Sequence, residues 1–225
     1  MSKTLKSKCN DLQKAIEGFF EDLLVGVTAR EDSRAFGAMV EKQITSNWES
    51  ICKELKVEPL EIPGRRTIFD CAFSDGGFIY GLDVKTKDLD ATSYSDGGIC
   101  AVGNLLKFLA NDNGIFLIVE VGHKKSETKK DSRDIEYIHV APFSCLPERS
   151  FRIENLGTGQ VRLNDSVSEV FNEIDWNRSN NEFFDIFTEL TKTHYLRVIR
   201  DANTRIESIE TFKKNGYERF RFGRK

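Results

Sequence analysis

No apolar run in this sequence approaches the roughly 20 residues that cross a bilayer, so a helical membrane span is not expected. The opening stretch MSKTLKSKCNDLQKAIEGFF lacks the order of basic start, apolar centre and small-residue cleavage site that marks a secretory leader, and a cytoplasmic protein is expected. Cysteine is sparse and odd in number. Cys9, Cys52, Cys71, Cys100 and Cys145 stand far apart with no C-x-x-C pair, which argues against a disulfide framework and against a zinc site. His123, His139 and His194 are equally isolated, with no partner at metal-ligand spacing. Neither sign of charge dominates, since 33 basic residues face 36 acidic ones for a net charge of -3. Any chemistry must therefore be built from carboxylates and amines.

What is present suits one folded domain over residues 1–225. The chain has 225 residues, 39% hydrophobic and 31% charged with the signs mixed, enough for a single well-buried core. Residues 4–26 place Leu5, Leu12, Ile16, Phe19, Phe20, Leu23 and Leu24 at helical spacing. Phe36, Met39, Val40, Ile44, Trp48, Ile51 and Leu55 mark a second long helix with Ser33 available as its N-cap. TIFDCAF and FIYGLDVKT then read as strands joined by the hairpin signal SDGG. A helix from Ile99 to Leu109, a buried strand GIFLIVEV, a strand IEYIHVAPF, a hairpin around GTG and a helix from Asn181 to Lys214 complete the order. The expected class is α/β, with helices covering a mixed sheet.

One strand carries an anomaly. Side chains two apart leave a strand on the same face, so Phe78, Tyr80, Leu82 and Val84 form an apolar face while Gly81, Asp83 and Lys85 share the other. The composition makes about three acid-x-Lys triplets expected by chance, and three occur. Glu54-Leu55-Lys56 falls on a helix and Glu127-Thr128-Lys129 in a charged loop, and only Asp83-Val84-Lys85 lies on an apolar strand after a hairpin. Taken alone, these residues also suit a partly buried ion pair that organises the sheet.

A helix bearing Glu41, a strand bearing Asp70, a turn, a strand bearing Asp83-Val84-Lys85, then a helix and a further strand resemble the core of the PD-(D/E)xK nuclease superfamily. Within it the size and the LDVKT motif look like a type II restriction endonuclease. The resemblance covers roughly residues 33–121 and departs at Phe69, which replaces the proline expected before the first aspartate, a proline that many members lack. It implies a restriction-endonuclease-like three-layer core and Mg2+-dependent, sequence-specific cleavage of double-stranded DNA that leaves 5′-phosphates. It further implies that Asp70, Asp83 and the Val84 carbonyl hold Mg2+, that Lys85 orients or helps deprotonate the attacking water, and that Glu41 serves a second ion or a bound water. Hard oxygen ligands of this kind are what Mg2+ requires.

DNA contact is expected from Arg65 and Arg66 before the Asp70 strand, from Lys87 beside Lys85, and from Asn104 and Lys107 on the helix after the site. A homodimer is implied, with the faces around Phe19, Phe20 and Leu24 and around Phe183, Phe184, Phe187 and Tyr195 as its candidate surfaces. A structure-specific or repair nuclease of the same fold, or an inactive DNA-binding protein, are the alternatives.

Overall fold

The computed structural model of the protein describes residues 4–23, 32–62, 68–92, 98–111, 113–128, 132–154 and 159–215. Three helices open the chain: α1 (Leu5–Leu23), α2 (Ser33–Ser46) and α3 (Trp48–Leu55). The spacing predicts one long helix where the structure has α2 and α3. The break falls at Asn47, whose side-chain amide donates to the Gln43 carbonyl at 2.9 Å and whose backbone N–H reaches the Ile44 and Thr45 carbonyls. Val40, Ile44, Trp48, Ile51 and Cys52 are buried on both sides of it, so the apolar rhythm runs through the interruption unchanged. The N-cap is Asp32 rather than Ser33, its carboxylate accepting from the Arg34 N–H at 2.9 Å.

Strands β1 (Glu58–Pro59), β2 (Cys71–Asp75) and β3 (Phe78–Asp88) form a meander. Gly76 and Gly77 make the β2–β3 turn at φ 60° and 84°, a pair of left-handed residues whose twist matches the flanking strands. A short β4 (Cys100–Ala101) leads into α4 (Val102–Leu109), which crosses over to β5 (Gly114–Lys125). β5 is parallel to β3 and antiparallel to β6 (Arg133–Pro142). The resulting sheet is mixed, with order β1-β2-β3-β5-β6. β5 lies between two partners and is buried on both faces from Gly114 to His123, which is why its apolar run does not alternate. β7 (Phe151–Glu154) and β8 (Gln160–Leu163) join β4 in a second sheet of order β4-β8-β7, and the chain continues through α5 (Val167–Val170) into α6 (Asn180–Asn215).

The large sheet separates two apolar layers. Helices α1–α3 pack on the face that carries Phe73, Tyr80, Leu82, Val84, Leu117, Val119 and Val140. The other face meets α4 and the small sheet through a run of rings in which Phe116 contacts Phe108 and Phe143, and Phe143 contacts Phe151 and Phe183. Phe183 is completely buried and Phe20 nearly so, so both rings belong to the interior. The chain divides into two compact units, Met1–Asp185 and Ile186–Lys225. Among the described residues no helix is long and apolar enough to cross a membrane.

Candidate active site

β3 is longer than its neighbour β2, and that mismatch creates the site. β2 begins at Cys71, opposite Leu82, so from Asp83 onward β3 is paired only on its β5 side. The backbone donor at Val84 would be left without a strand partner. Asp70, just ahead of β2, supplies one: its N–H donates to the Leu82 carbonyl at 2.7 Å and its carboxylate accepts from the Val84 N–H at 2.8 Å. The carboxylate thus stands at the end of the β2–β3 ladder, next to the two residues that the sequence singles out.

A ring positions it. Phe69 lies against Gly81 of β3, where an added Cβ would sit 2.4 Å from the Phe69 ring, and Phe108 of α4 is 5.5 Å away between centroids. The residue that replaces the motif proline is therefore locked by a glycine slot across the strand pair. Gly81 is on the Asp83 face, as period 2 requires.

Asp83 is 4% exposed and Lys85 reaches it along the same face, with Nζ 2.7 Å from Oδ2. The Lys85 ammonium is the donor that Oδ2 meets in this buried position. Burial is the largest influence on Asp83 and raises its carboxyl to about 7; Lys85 opposes the rise, while Asp70 and Glu41 add to it. Glu41 projects from α2, its carboxyl also raised, first by burial and then by Asp70, with Lys85 acting against both. Asp83 and Glu41 therefore share the field of one ammonium while Asp70 acts on both, and the buried thiol of Cys100 is pushed up to about 12 by burial and by Asp83.

Such a site fits a hard divalent cation. Among the described residues no three His, Cys, Asp or Glu side chains are gathered closely enough to grip an ion unaided. Mg2+ does not need that many, because it keeps most of its water and takes one or two carboxylates with the rest of its ligands from substrate phosphate and solvent. Asp70 and Asp83 are the two that could serve, one with an oxygen on the Val84 N–H and the other paired with Lys85.

The remaining predicted residues divide. Lys87 follows Lys85 on the same face, but its Nζ donates to Ser166 Oγ at 2.7 Å and lies 3.2 Å from the Glu169 carboxylate, so it ties β3 to the start of α5. Asn104 and Lys107 are exposed on α4, whose buried side is Val102, Leu105 and Leu109. Arg65 and Arg66 lie outside the described residues.

Two buried charge clusters escaped sequence reasoning. Glu120 of β5, in register with Lys85, is fully buried, and its oxygens accept from the Val167 and Ser168 N–H groups and the Tyr137 hydroxyl, so it clamps α5 to the sheet. Arg133 joins Asp88 at 2.9 Å and His123 at 2.8 Å at the far end of β3. The only signal for the first was a charged residue inside an apolar run, Glu120 in GIFLIVEV, and for the second there was none, because Asp88 and Arg133 stand in charged stretches. A cavity of about 370 Å³ lined by Leu12, Leu55, Phe73 and the charged Lys8, Lys56 and Asp75 opens on the α1–α3 face, on the opposite side of the sheet from Asp83.

Compared with models of known protein families and with curated proteins, the sequence matches none.

Proposed function

We propose that this protein is a Mg2+-dependent endonuclease of double-stranded DNA built on a PD-(D/E)xK core, and that it acts as a type II restriction enzyme. One observation carries the reading: Asp83 is buried with its carboxyl raised to about 7 although the Lys85 ammonium stands 2.7 Å from it, because Asp70 and Glu41 add negative charge to the burial. An ion pair kept only for structure balances its charges, whereas this cluster is short of positive charge by about two units when all its carboxylates ionise.

The order of elements from α2 through β5 supports the same reading, because it brings Glu41, Asp70, Asp83 and Lys85 to one end of the β2–β3 ladder. Asp70 and Asp83 would hold Mg2+, which would supply Lewis acidity at the scissile phosphate and acidify water toward neutral pH. Lys85 then orients that water by hydrogen bonding and offsets the charge that grows on the phosphoryl oxygens. Water attacks phosphorus in line with the 3′ oxygen and gives up a proton to solvent, the P–O3′ bond breaks, the departing 3′ oxygen takes a proton from solvent, and the phosphate remains on the 5′ end. Glu41, electrostatically coupled to Asp70 and Lys85, holds a second hydrated ion or accepts a proton from the water shell.

Incubation of the purified protein with bacteriophage DNA in Mg2+, in Ca2+ and in EDTA, beside the Lys85→Ala variant, tests the proposal. Discrete fragments with a common end sequence are expected in Mg2+ alone, and the variant is expected to cut at least about 100-fold more slowly. DNA left intact in Mg2+ by a folded wild-type protein refutes it.

A further inference from the structure

From Ile199 to Lys214 every residue of α6 is exposed, so this part of the helix packs no buried stripe. Helices in proteins draw most of their stability from packing such a stripe. The sequence nevertheless contains one. Tyr195, Ile199, Ala202, Ile206 and Ile209 alternate four and three positions apart, the a and d pattern of a coiled coil. Ile199, Ile206 and Ile209 are 57%, 55% and 64% exposed. The outward positions between them, Arg200, Asp201, Thr204, Glu207, Ser208 and Thr211, are all polar.

We propose that this segment of α6 pairs with the same segment of a second copy of the chain, as a short parallel two-stranded coiled coil. Three features select that occupant. In a parallel pair each a and d residue meets its own counterpart, so an apolar seam of this kind is complementary to itself. Ile at both a positions, 199 and 206, is the β-branched choice of parallel pairs, and of the d positions only 209 carries the Ile that would favour a third strand. The flanking charges also agree, because Arg205 at g faces Glu210 at e of the other copy, once on each side of the pair. An antiparallel pair that keeps Ile206 and Ile209 covered sets Arg205 beside Arg205 instead. The seam is about 21 Å long at 1.5 Å per residue, shorter than a standard interface, and self-association is expected in the micromolar range. The pairing is independent of any nuclease activity. It also lies beyond Phe20 and Phe183, the rings of the expected dimer faces that the structure buries in the core.

Sedimentation of the full chain between about 1 and about 100 µM reads the mass directly. A monomer–dimer transition is expected, weakened about tenfold or more by Ile206→Asp. Because that variant could lose the helix, the charge reversals Arg205→Glu and Glu210→Arg provide a second route: each alone weakens self-association, and a mixture of the two restores a dimer containing one of each. An Ile206→Cys variant is expected to form a disulfide between copies under oxidising conditions, since only a parallel pair brings residue 206 against itself, and the five native cysteines are buried. A monomer at about 100 µM, a dimer indifferent to both charge reversals, or a dimer in which Cys at 206 stays unlinked overturns the proposal.

Discussion

Replacing Asp83 by asparagine is expected to make the metal-free protein more stable and, in the same step, to abolish cleavage. The carboxyl is raised to about 7 from an ordinary value near 3.8, about three pH units at about 1.4 kcal/mol each. The raised value already includes the attraction of Lys85, so it measures the net cost of holding Asp83 ionised in its pocket, with a ceiling of about 4 kcal/mol. A carboxyl whose folded value lies above its unfolded value favours folding below pH 4, and that contribution is lost as pH rises through about 7. Asparagine keeps the shape of the protonated acid and cannot ionise. Lys85 retains Asp70 and Glu41 in its field, so the substitution does not strand it. Urea unfolding in EDTA should therefore show Asp83→Asn more stable than the parent by about 1–3 kcal/mol at pH 8, with the difference vanishing near pH 4. Loss of stability at pH 8 in the variant would mean that the Asp83–Lys85 contact is a net stabilising ion pair, and the charge-deficient site would be refuted.

Other consequences are open to measurement. Because Mg2+ must displace the proton of Asp83, the Mg2+ midpoint for thermal stabilisation should tighten about tenfold from pH 6 to pH 8; a midpoint independent of pH excludes Asp83 as a ligand. Gly81→Ala places a Cβ 2.4 Å from the Phe69 ring and is expected to cost about 1–3 kcal/mol, which Phe69→Ala in the same chain should partly restore; strictly additive losses would separate the two residues. Glu120→Gln, which removes a charged acceptor from the Val167 and Ser168 amides, should lower stability by about 1–3 kcal/mol and leave the Mg2+ midpoint in place. A shifted midpoint would draw Glu120 into the site beside Lys85.

The sequence carried the parts of this fold that depend on local chemistry. Alternation along FIYGLDVKT assigns Asp83 and Lys85 to one face, and Gly76-Gly77 requires the tight turn that sets β2 against β3 in register. It did not carry the break at Asn47, because helices on both sides keep the same buried phase and the apolar rhythm has no gap there. Lys87 shows the limit more sharply. By spacing it is equivalent to Lys85, yet its partners Ser166 and Glu169 lie some eighty positions away, and only the placement of α5 on the sheet makes them neighbours.

What distinguishes Asp83 and Lys85 from an ordinary ion pair is likewise non-local. The motif supplies one acid and one base, which balance. The imbalance arises because β2 stops one residue short of Asp83, which leaves Val84 in need of an acceptor and draws in Asp70, and because α2 brings Glu41 within range of both. Each of the added carboxylates raises the cost of ionising Asp83, and burial multiplies that cost by removing the water that would screen it. On the proposed reading, a divalent cation would relieve all three acids at once.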